Sequence, residues 1–98
     1  MSDVEVHDNP ERHRFELLVE GEMGGLASYR MRGDVVVVTH SEVDPRLRGQ
    51  GMGAELARRT LDQLRERGVK VVPACPFFAD YIARHPEYDD LVAAVDTI

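Results

Sequence analysis

The sequence predicts an α+β fold, and three observations carry that prediction. Apolar and polar residues alternate between Arg14 and Arg32, which is the period of half-buried strands. After Gly51 the apolar spacing changes to that of an amphipathic helix. After Gly68 a short β-branched run, Val69 to Val72, returns to strand character. A chain of 98 residues has room for one domain, residues 1–98, with an adequate but shallow core.

Met1 to Glu11 are polar and poorly patterned, and a loose entry segment is expected there. From Arg14 to Glu20, Phe15, Leu17 and Val19 share one face of a strand. Gly21-Glu22 reads as a turn into a second strand, Gly25 to Arg32. There Ala27, Tyr29 and Met31 fall on one face and Ser28, Arg30 and Arg32 on the other. Gly33-Asp34 is a two-residue hairpin signal. Val35 to Val43 is too continuously β-branched for a surface strand and is expected at the centre of the sheet. The first part therefore reads as a three-stranded antiparallel meander.

Asp44-Pro45 breaks the central strand, and a glycine-rich connection leads into a helix from Gly51 to Arg67. Leu56, Ala57, Thr60, Leu61 and Leu64 lie on one face of that helix, and Gly68 suits its C-terminal cap. The strand–helix–strand order favours a right-handed, parallel pairing of Val69–Val72 with the central strand. A second helix is expected from Pro76 to Arg84, where proline is tolerated in the first turn. His85-Pro86 stops it, and Glu87 to Ile98 is read as a short terminal helix.

The net charge of −6 argues against general nucleic-acid binding. Its distribution is uneven: Arg46 to Lys70 carries +4 and the remainder −10. A basic segment on an acidic body suits a small polyanionic ligand, and it equally describes a solvated, arginine-rich helix face. There is no apolar run long enough for a membrane span and no signal-peptide pattern, so a cytoplasmic protein is expected. The lone Cys75 excludes an intramolecular disulfide, and no ligand spacing for a metal appears.

Three phosphate-binding loops can be tested against Arg48-Gly49-Gln50-Gly51-Met52-Gly53. A P-loop requires Lys-Ser/Thr after its last glycine, and Ala54-Glu55 stands there. A dinucleotide fingerprint requires an acid at the end of the next strand, which here ends Val71-Val72-Pro73. The third form, Arg/Gln-x-x-Gly-x-Gly/Ala between a strand and a helix, fits. In that order the segment resembles the pyrophosphate loop of the GNAT superfamily of acetyl-CoA-dependent N-acetyltransferases. The physics agrees: a helix start presents unpaired N–H groups, glycines allow close approach, and Arg48 adds a permanent charge.

Val43 to Gly53 together with Cys75 to Tyr88 resemble the compact, single-domain branch of that superfamily, over about Phe15 to Val92. The resemblance implies a minimal GNAT-like fold and an acetyl-CoA site between the central and the short strand. It implies Val43, Arg48, Gly49, Gln50, Gly51, Met52 and Gly53 as cofactor-binding residues. Longer members have additional elements that cover the acceptor, for which this chain has no material. They also often have an asparagine near Cys75, and a Gly-Phe where this chain has His85-Pro86.

Acetyl transfer needs a base for the amine, polarisation of the thioester carbonyl and stabilisation of the leaving thiolate. His40 and Glu42, two apart on the central strand, share one face, and histidine ordinarily titrates near pH 6.5, about where a base is useful. A hydrogen-bonded structural histidine is the other reading. The resemblance places Cys75 at the acyl end of the cofactor, where it is a nucleophile with His40 as its base, a lining residue or a small buried hydrophobe. It places Tyr81 near the tyrosine that protonates the thiolate, with the spacing about one residue off; a packed helix tyrosine is the alternative. Phe77 and Phe78 are read as core. His40, Glu42 and Cys75 are expected to converge on one site. Two functions follow: an N-acetyltransferase for an unidentified primary amine, or a CoA/acyl-CoA-binding module with little catalysis.

Overall fold

The computed structural model describes residues 3–93 and has one five-stranded sheet, ordered β1-β2-β3-β4-β5. The strands are β1 (Val4–Asn9), β2 (Arg14–Val19), β3 (Glu22–Arg32), β4 (Val35–Val43) and β5 (Val71–Pro73). The helices are α1 (Met52–Arg67) and α2 (Pro76–Arg84). Neighbouring strands from β1 to β4 pair antiparallel, and β5 lies parallel to β4. The fold is thus α+β, as expected, but its antiparallel meander has four strands instead of three.

The extra strand is the segment expected to be loose. Val4 to Asn9 pairs along all of β2, from Val4↔Val19 to Asn9↔Arg14. Only Val6 is buried there, so the apolar signal is one residue deep. Polar contacts hold the rest: Gln63 of α1 donates to the Val6 carbonyl at 2.6 Å. Asp8 accepts from the Tyr29 hydroxyl at 2.7 Å and from Arg67 at 2.9 Å. The exposed polar side chains of Glu5 and His7 on this edge strand guard its open side against pairing with other chains.

Val6, Phe15, Leu17, Ala27, Tyr29, Val36, Val38 and Val71 pack with Leu56, Ala57, Leu61 and Leu64 of α1 and Phe78 and Ile82 of α2. The helix residues picked out by spacing are all buried. Gly68 ends α1 in the left-handed region, its N–H on the Arg65 carbonyl and that of Val69 on Leu64, the Schellman arrangement. Met31, expected beside Ala27 and Tyr29, is 47% exposed near the hairpin end of β3.

The expected helix over 87–98 is instead a 3₁₀ turn, Pro86–Leu91, after which Val92 bridges to Val71; residues 94–98 lie outside the described residues. Here His85-Pro86-Glu87-Tyr88 acquires a physical role. His85 Nδ1 donates to the Tyr81 carbonyl at 2.8 Å, and the Tyr88 hydroxyl donates to Asp62 at 2.7 Å. Arg65 lies over the Tyr88 ring, so the motif docks Pro86–Leu91 onto α1.

Burial, then the Asp8 hydrogen bond, pushes the Tyr29 hydroxyl up from 10.0 to about 12. A raised folded value contributes stability in full below pH 10 and loses it as pH rises through about 12. Urea unfolding at pH 8 and pH 11.5 is expected to show wild type losing on the order of 2 kcal/mol more than Tyr29→Phe. Equal losses in the two proteins would exclude this coupling.

One irregularity decides the site. Tyr29 opposes Val38, but the next pair is Ser28↔His40, so Thr39 is an extra residue in β4. Before this bulge Val36 and Val38 face the helices. Beyond it Ser41 and Val43 do, and His40 and Glu42 turn to the opposite, helix-free face, with side chains 61% and 64% exposed.

Candidate functional site

The connection from β4 to α1 is fixed at its start and open at its end. Asp44 donates its N–H to the Gly24 carbonyl at 2.8 Å, and its carboxylate accepts from the Arg46 N–H and guanidinium. Arg46 holds the Asp44 carboxyl below its ordinary value. A 3₁₀ turn, Pro45–Leu47, follows, and Arg48 and Gln50 donate to Pro45 and Leu47. Gly49 and Gly51 then take φ of +83° and +76°, a region costly to residues with a Cβ.

The first bond of α1 runs from Glu55 N–H to the Gly51 carbonyl at 3.1 Å. The N–H groups of Gly49, Gly51, Met52, Gly53 and Ala54 therefore have no backbone partner among the described residues. Gly51 caps the helix without a side chain. The acid in the first turn, Glu55, is held by Arg58 and Arg59 at 2.7 and 2.8 Å, with Arg59 the main cause of its lowered carboxyl value. Arg48 is exposed and has no acidic partner among the described residues. A helix terminus with free donors and an unpaired arginine beside it is a receptor for an anion.

These donors open onto a cleft of about 460 Å³, with apolar walls from Val43, Leu47, Met52, Leu56 and Phe77. Its floor is an unpaired strand edge. β5 accompanies β4 only over Val36–Val38, and the Cys75 N–H closes the junction on the Val38 carbonyl at 2.9 Å. The Asp44–Gly24 bond sets the alternation, so His40 and Glu42 bond to β3 through the backbone. The N–H and C=O of Ser41 and Val43 then face the gap that β5 has left. The cleft thus joins an anion receptor to an edge able to pair with amides.

The residues predicted for the cofactor gather here: Val43, Arg48, Gly49, Gly51, Met52 and Gly53 line the cleft. Gln50 stands beside it, its side chain donating to the Arg46 carbonyl at 3.4 Å. The predicted catalytic residues do not converge. Cys75, 4% exposed, caps α2 with its Sγ 3.1 Å from the Ser41 hydroxyl on the helix side of the sheet. His40 and Glu42 pair with each other at 2.8 Å on the other side, and of the two only Glu42 also borders the cleft. The bulge at Thr39 separates the two sets.

Tyr81 is absent from the cleft lining; its ring stacks on His85 at a 4.0 Å centroid distance and lies near Tyr88. Burial pushes its hydroxyl value up, and it packs as a core residue. Asp44, Pro45, Leu47, Ala54 and Leu56 also line the cleft, as do Ser41 and Phe77, none of them in the expected site. Ser41 was hidden by the bulge. Phe77, read as core, is 43% exposed on the cleft wall, whereas Phe78 is fully buried. Adjacent residues on a helix point about 100° apart, and here only Phe78 of the pair faces the core.

Known proteins agree with this architecture. A family model described as GCN5-related N-acetyl-transferase matches residues 14–91. The NMR solution structure of a GCN5-like protein from Staphylococcus aureus, itself named only as a candidate N-acetyltransferase, superposes with a TM-score of 0.70. The two are 23% identical, and the alignment covers 97% of this chain and 93% of that one, a likeness of fold. No curated protein matches the chain significantly. With its loop, cleft and both helices inside the matched region, the chain belongs to the GCN5-related N-acetyltransferase family.

Proposed function

We propose that this protein transfers the acetyl group of acetyl-CoA to a primary amine, carried by a small molecule, a lysine or a chain N-terminus. The observation that carries the reading is the pairing of free loop N–H groups with an open strand edge in one cleft. CoA has a pyrophosphate followed by an arm with two amides, and the residues present fit both. Gly49, Gly51, Met52, Gly53 and Arg48 would hold the phosphates, and Ser41 and Val43 the amides.

Bound acetyl-CoA supplies an activated thioester. The acceptor reaches it from the helix-free face, where His40 stands. Glu42 accepts from His40 Nε2, which leaves Nδ1 free to take the amine proton. The acceptor nitrogen bonds to the acetyl carbon as the carbon–sulfur bond breaks, and the departing thiolate takes a proton from solvent. Cys75 lies across the sheet from this base, which favours direct attack over an acetyl-cysteine. Use of this donor would place the reaction in the cytoplasm; no described helix is long and apolar enough to cross a membrane.

The second reading, a CoA-binding module with little catalysis, is favoured by the exposure of the His40–Glu42 pair, which no element covers. Calorimetric titration with CoA and acetyl-CoA tests the shared premise. Micromolar affinity is expected for wild type, with a loss of at least about 100-fold in the double variant Arg48→Ala, Gly51→Asp, whose carboxylate would occupy the anion receptor. No binding by wild type would overturn both readings. Binding without amine acetylation would select the second.

A further inference from the structure

We propose that Phe77 holds the branched, apolar start of the cofactor's pantetheine arm, and so distinguishes CoA from nucleotides that share its phosphates. The inference rests on the cofactor reading above. Phe77 does not serve the core: it is 43% exposed, while the neighbouring Phe78 is fully buried and meets it edge-on at 6.4 Å. Its ring reaches from α2 across to the first turn of α1. A Cβ built on Gly53 would lie 3.0 Å from the tip of that ring, Phe77 Cζ. The ring therefore rests on a residue whose N–H is unpaired in the anion receptor.

An apolar ring at that place meets whatever is joined directly to the bound phosphates. On the arm side of the CoA pyrophosphate this is a methylene bearing a quaternary carbon with two methyl groups, and on the other side a methylene bearing a polar ribose. Only the first gains from an exposed aromatic wall, because covering it removes apolar surface of both partners from water. The lack of a side chain at Gly53 lets the ring sit this close; a larger residue would push it off the loop.

The test compares CoA with 3′-phosphoadenosine 5′-diphosphate, which has the phosphates and adenosine but no arm. Phe77→Ala is expected to weaken CoA binding about 10-fold and leave the nucleotide unchanged, and Phe77→Leu to recover most of the loss. In proton NMR the two methyl singlets of CoA are expected to move upfield on binding wild type, by ring current, and much less on binding Phe77→Ala. Equal losses for both ligands, unchanged CoA affinity or unmoved methyl signals would overturn the role. If wild type fails to bind CoA, the cofactor reading falls and takes this role with it. If the Arg48→Ala, Gly51→Asp variant loses CoA while Phe77→Ala binds like wild type, only the role of Phe77 falls.

Discussion

Gly25→Ala is expected to destabilise the protein by about 2–3 kcal/mol and to remove CoA binding, although the substitution adds a single methyl group. In most strands alanine is the better residue, since glycine loses more freedom on folding. At this position a Cβ would stand 2.7 Å from the Glu42 carbonyl oxygen and 3.3 Å from Leu17 Cδ2. The first neighbour is backbone and cannot rotate away, so β4 must move off β3. The displaced stretch is the one that carries the open edge at Ser41 and Val43 and leads through Asp44 into the loop. Gly21→Ala provides the comparison. Gly21 has a φ of +82° with nothing within 4 Å of a Cβ, so the cost there is conformational, about 1 kcal/mol, and the cleft is untouched. Urea unfolding and CoA titration of the two variants separate the effects. A Gly25→Ala protein as stable as Gly21→Ala and binding CoA normally would contradict the close approach of the strands.

Much of this architecture is legible in the sequence because it rests on local physics. The alternation of Phe15, Leu17 and Val19, the period of Leu56, Ala57, Thr60, Leu61 and Leu64, and the cap at Gly68 each follow from neighbouring residues alone. The glycine-rich loop is legible for the same reason: positive φ at Gly49 and Gly51 and a helix start are local properties. What escapes depends on partners far away in the chain. β1 is a strand because of β2, Gln63, Tyr29 and Arg67, and its own residues show one buried side chain. The bulge at Thr39 belongs to the pairing of β4 with β3. Strict alternation from the buried Val36 and Val38 would send His40 and Glu42 toward the helices; one inserted residue sends them to the opposite face. Tyr81 likewise matched a family position by spacing, yet its ring is claimed by His85 and Tyr88.

That reversal of face yields the sharpest prediction about chemistry. With a primary amine as acceptor, His40→Ala is expected to lower kcat by roughly 100-fold or more, the usual contribution of a positioned base. Glu42→Gln, which keeps a hydrogen-bond acceptor for Nε2 but removes the charge, is expected to cost less, about 10-fold. Cys75→Ala is expected to stay within about 3-fold of wild type, because the thiol is 4% exposed, engaged with Ser41 and on the far side of the sheet from any base offered by His40. CoA affinity should be unchanged in the His40 variant, because His40 does not line the cleft, and little changed in Glu42→Gln, which keeps the size and polarity of a lining residue whose side chain is 64% exposed. Steady-state rates with affinities measured in parallel distinguish the alternatives. A collapse of activity in Cys75→Ala, with an acetylated cysteine trapped in wild type by mass spectrometry, would require a covalent route. Such a route would need a base for Cys75 on its own face, where the described contact is the Ser41 hydroxyl and no histidine or carboxylate touches the sulfur. The geometry therefore ties the direct mechanism to one structural fact, the extra residue in β4.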